Sequence, residues 1–337
     1  MRTLFTLFLT LFISLFISRL SLAEQTFNAG FRTHGVWLQD DALRLDLNIW
    51  YPSHNKTRDC NFIPWTLHVA LNGKAAEGTF PLIVLSHASP GTRFSYHYLA
   101  SFLAENGYII AAPTHPTDSL ENMDDLFTWA QLEKRIKEIR ASLEILLEDQ
   151  ELGSHIDRNS IGFLGFGTGA SAGLLLAGAM PSCEAWPDYC SHAPAFDPYC
   201  TNWGREKINI LCKNLPEKSL KDAQFRAFAI IAPAYGMLFN ASSFPSNFPP
   251  LLLVGAGKDQ FNHFEMHSER LARILGKKAN YLHLARADAG ALMNACPPSY
   301  ETELPELCKS VTDMERKQLH QTLEKAISKF FSMQLKQ

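Results

Sequence analysis

Gly165-Phe166-Gly167-Thr168-Gly169 stands where an apolar run, residues 161–164 (IGFL), turns abruptly into a small-residue stretch at 170–179. Two kinds of chemistry use such a bend. The first is dinucleotide binding, whose G-x-G-x-x-G/A fingerprint is met by Gly165, Gly167 and Ala170. It needs a second strand ending in Asp or Glu about 20 residues further on. Those positions fall among Pro187, Asp188 and Cys190, in a segment without strand character. The second is acyl transfer from a G-x-S-x-G turn, where strand and helix crowd a strained residue that presents its hydroxyl. In that reading Gly167 occupies the nucleophile position and has no hydroxyl to offer. The steric frame is intact and the reactive atom is missing.

The elements that must position this turn are legible around it. Residues 43–50 (LRLDLNIW) alternate apolar and polar, as a half-buried antiparallel strand does. Residues 81–85 (PLIVL) are continuously apolar, the mark of a strand covered on both faces. The pattern predicts a helix over 94–106, a strand over 108–112, a charged amphipathic helix over 126–147, the strand over 161–164 and a helix over 170–179. Further strands are expected over 227–231, 251–254 and 280–284, with helices over 264–275 and 313–331. Buried strands alternating with helices predict an α/β fold: a doubly wound, mainly parallel sheet with antiparallel pairing near its start. Ligands of such sheets sit beyond the carboxyl ends of the strands.

The first 23 residues carry Arg2, an apolar run at 4–17 and the small-residue site Ser21-Leu22-Ala23, a signal-peptide pattern. The run is shorter than the roughly 20 residues that a membrane span needs. Arg19, beside the cut, keeps an uncleaved anchor as the alternative. The expectation is an exported chain, periplasmic or secreted, with one domain over 24–337 and no membrane span after cleavage. Without residues 1–23 and their Arg2 and Arg19, 29 basic residues face 34 acidic ones, a net charge of −5. That balance argues against a nucleic-acid partner.

All seven cysteines follow the signal segment. Cys183, Cys190, Cys200 and Cys212 crowd a segment at 181–222 read as an irregular, lid-like insertion, and Cys296 and Cys308 flank a Pro-rich loop. Export makes disulfides the expectation, paired within each cluster with Cys60 left over. Spacing leaves the pairing inside the cluster of four open. Neither CxxC nor a Cys/His zinc pattern occurs, so no metal is expected. His263 and His267, at i and i+4 of the predicted 264–275 helix, are read as solvent-exposed, and the run 133–140 as a solvated helix face.

Taken in order, IWYPS at 49–53, PLIVLSHASPG at 81–91, YIIAAPTHPTD at 108–118, IGFLGFGTGASAG at 161–173, LLLVGAGKDQF at 251–261 and the Cys296/Cys308 pair resemble the dienelactone hydrolase-like branch of the α/β-hydrolases, akin to platelet-activating-factor acetylhydrolases. The resemblance runs from residue 43 to the C-terminus. It implies a serine nucleophile at Gly167, followed in chain order by an acid at Asp259 and a histidine at Asp288 or Ala289. Only the acid is present. His283, the nearest histidine, precedes that loop and belongs to a strand. The oxyanion donors implied are the N–H of Thr168 and one from Ala88 or Ser89, where Ala88 replaces the family's glycine. His115 and Asp118, after the 108–112 strand, are candidates to line the cleft. Ser171, one turn into the helix, is read as a packing residue.

The resulting expectation is a degenerate hydrolase, without cofactor, that binds a small acyl or anionic ligand or a protein partner. An active carboxylic-ester hydrolase with a relocated nucleophile or base is one alternative, and a dinucleotide-binding oxidoreductase the other.

Overall fold

The computed structural model describes residues 27–38, 43–303 and 305–336. The expected signal peptide lies outside the described residues. Ten strands form one sheet in the order β10-β9-β8-β7-β5-β6-β2-β1-β4-β3. The strands from β5 onward are parallel: β5 (Phe80–Ser86), β6 (Ile109–Thr114), β7 (Ile156–Phe166), β8 (Phe225–Ile231), β9 (Leu251–Ala256) and β10 (Ala279–Leu284). The alternating run 43–50 lies in β2 (Leu43–Ser53), antiparallel to both β1 (Asn28–Leu38) and β6. A hairpin of β3 (Arg58–Phe62) and β4 (Trp65–Leu71), whose boundaries the sequence did not reveal, closes that end.

Helices cover both faces. On one lie α1 (His97–Glu105) and the last helix, α8 (Asp313–Leu335), which bury Leu99, Leu103, Leu323, Ile327 and Phe331. On the other lie α2 (Trp129–Glu148) and α3 (Thr168–Leu176), which bury Ile136, Ile139, Leu143 and Leu174. Thr128 caps α2 by accepting the Gln131 N–H, and Thr312 forms a capping box with Glu315 at the start of α8. No helix among the described residues is long and apolar enough to cross a membrane.

The chain leaves β5 for β6 on one side, then crosses through α2 to β7 on the other. The sheet therefore reverses its winding at β5, which places the loop after β5 beside the turn after β7. This is the switch point at which doubly wound sheets bind ligands.

The cysteine-rich segment is more ordered than its composition predicts. It contains α4 (Trp186–His192) and α5 (Asn202–Lys213). Disulfides Cys183–Cys212 and Cys190–Cys200 nest one inside the other, and Cys296–Cys308 closes the late loop. Pairing stays within each cluster as expected, and Cys60 is free and buried.

Candidate active site

Gly167 precedes α3 with φ 53° and ψ −117°, a backbone conformation that L side chains rarely adopt. Its N–H donates to the Ile231 carbonyl at 3.0 Å, and its own carbonyl accepts the Ala234 N–H at 3.1 Å, so β8 fixes the bend. The flanking glycines are steric necessities: a Cβ on Gly169 would lie 2.3 Å from the Ser86 carbonyl oxygen. Ser171 is buried and donates to the Ala234 carbonyl at 2.7 Å, a packing role. This is elbow geometry with nothing mounted on it. The strand required by the dinucleotide fingerprint does not follow, because residues 186–192 are helical.

Asp259 sits just past β9 and is 5% exposed. Its Oδ1 accepts the N–H groups of Phe261 and Asn262, both at 2.9 Å, so turn formation occupies the carboxylate. Burial, opposed by these bonds, pushes its pKa up to about 6. Asp288 caps a short helix, α7 (Ala289–Leu292), accepting the Ala291 N–H at 2.7 Å and the Ser310 hydroxyl at 2.9 Å. The position expected to carry a histidine is thus a helix cap. His283 is exposed in β10, its ring stacked on Phe264 at 4.2 Å. No imidazole is hydrogen-bonded to Asp259 or Gly167 among the described residues.

The loop after β5 is held from below by a buried polar network. Arg135, fully buried on α2, donates to Asp118 Oδ2 at 2.6 Å, to the His87 carbonyl at 2.5 Å and to the hydroxyls of Ser86 and Ser89, each at 3.2 Å. Ser89 donates in turn to Asp118 Oδ1 and accepts from Gln131 at 3.0 Å. Burial favours a neutral Asp118, but the Arg135 charge and the hydrogen bonds outweigh it and hold the carboxyl below its ordinary value. His115 faces the Ser86 hydroxyl through Nε2 at 2.8 Å and Glu138 through Nδ1 at 2.6 Å. Burial pushes Glu138 up to about 8 and, helped by Arg135, drives His115 well below the usual imidazole range.

Two expectations change here. His115 and Asp118, read as cleft candidates, are 1% and 2% exposed and face the interior. The run 133–140 is not a solvated face, because Arg135 and Glu138 point inward. A charge run looks solvated in sequence unless its partners are known, and these come from the loops after β5 and β6. Arg135 and Glu138 lie three apart on one helix face, a spacing that could have flagged them.

His267 is likewise buried rather than exposed, because the helix α6 (Ser268–Leu275) begins only after it. Its Nδ1 accepts the Gly236 N–H at 2.9 Å, and Nε2 meets the Tyr189 hydroxyl at 2.8 Å. Tyr189 donates onward to Asp197 at 2.9 Å, which fastens the cysteine-rich segment to the sheet's carboxyl edge. Among the described residues no three His, Cys, Asp or Glu side chains could hold a metal ion.

Ser86–His115–Glu138 has the connectivity of a nucleophile, a base and an acid, but Ser86 is fully buried beneath α3. A second such chain, Thr57–His68–Asp59, has contacts of 2.6 and 2.8 Å on the exposed β3–β4 hairpin. It lies away from the carboxyl ends of the parallel strands.

No family model matches this chain, and no curated protein matches it. Among solved structures it is similar to a ferulic acid esterase from Streptomyces cinnamoneus. The TM-score is 0.60 at 14% sequence identity, covering 95% of this chain and 93% of that one. Sheet order, the elbow at Gly167 and this likeness agree: the chain has the α/β-hydrolase type of fold.

Proposed function

We propose that this protein is an exported pseudo-hydrolase of the dienelactone hydrolase-like branch, a protein that has lost acyl transfer and kept the scaffold for binding. The observation that carries the reading is Gly167, which has a nucleophile's backbone angles and no side chain. Acyl transfer needs a hydroxyl or thiol there and a base to take its proton. Asp288 and Ala289, at the histidine position, supply a helix cap instead. Losing triad members leaves only roughly 10³–10⁴-fold catalysis from binding and the oxyanion hole. Three disulfides favour an oxidising compartment, in line with export.

The binding role we assign is to a small acyl or anionic ligand, held at the first turn of α3 by the Thr168 N–H. A protein partner is the second reading. It is favoured by large apolar side chains left exposed: Phe196 at 99%, Phe261 at 56% and, on α5, Trp203 at 47%.

Treating the protein with a fluorophosphonate and with p-nitrophenyl acetate tests the inert-site reading. We expect no covalent adduct by mass spectrometry, no burst, and hydrolysis no more than roughly 10³–10⁴-fold above the uncatalysed rate. An adduct on Ser86, Thr57 or any cleft residue, with turnover abolished by its substitution, establishes the relocated-nucleophile alternative instead.

A further inference from the structure

Beyond the ends of β9 and β10, four segments of chain close around a cavity of about 220 Å³ that touches neither Gly167 nor Thr168. Lys258 enters it from the loop after β9 and Arg286 from the loop after β10, at the carboxyl edge where ligands of such sheets sit. Ser310 and Val311, from the segment after the Cys296–Cys308 disulfide, and Leu319, on α8, complete the wall. These segments are fastened to one another. The Lys258 N–H donates to the Ala287 carbonyl at 2.8 Å, the Ser310 hydroxyl donates to Asp288 at 2.9 Å, and the Thr312–Glu315 capping box fixes the start of α8. The cavity is therefore formed before any ligand arrives, and binding has little chain to order.

Its charges are unequal. Two cations face one carboxylate, Glu315, and that carboxylate is already engaged. Glu315 Oε2 accepts the Thr312 N–H at 3.1 Å and the Thr312 hydroxyl at 2.9 Å, while Oε1 stands 4.0 Å from Arg286, beyond hydrogen-bond reach. Thr312 holds the Glu315 carboxyl below its ordinary value, and Arg286 and Lys258 lower it further, so the fields of both cations converge there. Among the described residues neither cation's side chain donates a hydrogen bond. Val311 and Leu319 add an apolar wall. A cavity of about 150 Å³ takes benzene, so one of about 220 Å³ has room for a ring with a small charged group. We propose that this cavity is a binding site for a small aromatic carboxylate of about benzoate's size, its carboxylate between Lys258 and Arg286 and its ring against Val311 and Leu319. Arg286 offers paired N–H donors to the two oxygens, and Lys258 a compact charge. The site stands apart from the elbow and does not depend on the binding role assigned there.

Isothermal titration calorimetry on the full chain, with sodium benzoate as the probe, tests this. Wild type should bind one molecule per chain. Lys258→Gln and Arg286→Gln, both at exposed positions, should each raise Kd at least about tenfold, and the double variant should give no saturable heat. Lys218→Gln, which removes an exposed cation from the cysteine-rich segment, should bind as wild type does. Benzamide, with the ring and no charge, and inorganic phosphate, with charge and no ring, should each bind at least about tenfold more weakly than benzoate. Thr322→Trp, at an exposed position of α8 that lines the cavity, fills it while keeping both cations and should abolish binding. No saturable binding by wild type, or an equal Kd in wild type and either the double variant or Thr322→Trp, overturns the proposal. Benzamide or phosphate binding as tightly as benzoate overturns it too. A fluorophosphonate adduct would end the inert-site reading and leave these titrations unchanged.

Discussion

Two polar regions lie on either side of the loop after β5, and they differ in a way that bears on what makes a catalytic site. The elbow has hydrolase geometry but no reactive groups. The network beneath it has the groups, Ser86, His115 and Glu138 in hydrogen-bonded sequence, but no access to solvent. Connectivity alone is not chemistry, because a nucleophile must meet a carbonyl carbon and an oxyanion must meet a donor. The lower network stabilises instead. It fixes the loop to α2 through a buried ion pair, whose removal of one partner leaves an uncompensated charge.

The sharpest test of that contrast is Arg135→Met. It strands Asp118 without its counter-charge, and unfolding by urea should show a loss of about 3–5 kcal/mol. A loss below 1 kcal/mol would break the comparison, since the network would then be incidental. Gly167→Ala comes next. A methyl at φ 53° costs on the order of 1–3 kcal/mol from backbone strain, before the contact with Ala88 is added. The same substitution should leave the background rate of ester hydrolysis unchanged, whereas in a working esterase the elbow residue carries the reaction. His115→Ala, which leaves Glu138 and Ser86 without their shared partner, should cost about 1–3 kcal/mol by the same urea measurement.

The smallest expected effect is a pH dependence from Glu138. Its folded pKa is raised to about 8 from an ordinary value of 4.5, mainly by burial. Between those values the folded state holds a proton that the unfolded chain has released. Stability from this group is therefore greatest below about pH 4.5 and declines as pH rises towards about 8. Glu138→Gln mimics the protonated carboxyl. It should flatten the decline of unfolding free energy between about pH 4.5 and about pH 8. An unchanged slope would show that the carboxyl is ionised in the native protein. Buried His267 acts in the opposite sense. Its pKa, lowered to about 3 mainly by burial, makes stability fall as pH drops from about 6.5.

Much of the scaffold was readable from pattern. The apolar runs at 81–85, 161–164 and 251–254 fall within β5, β7 and β9, because strands covered on both faces admit little else. The two cysteine clusters pair as local proximity implies, although nesting within the first required coordinates. The helix expected over 264–275 starts only at Ser268; before it the chain runs in turns, and His267 is buried there by its bonds to Tyr189 and Gly236. Local periodicity carries no information about such partners.

What the sequence determined by itself was the absence: a glycine at 167 and no histidine at 288 or 289 are facts of composition at defined positions, and no folding restores an atom that is not there. What only the tertiary structure decided was the fate of the vacated space and of the charges around it. Whether Arg135 and Glu138 face water or the core depends on Asp118 and His115, which lie about 17 and 23 positions away in the chain. How much room Gly167 has for a side chain depends on residue 88, whose Cβ would lie 2.9 Å from a Cβ at 167. Burial and steric fit are properties of pairs brought together by the fold, and a linear string of residues specifies them only through that fold.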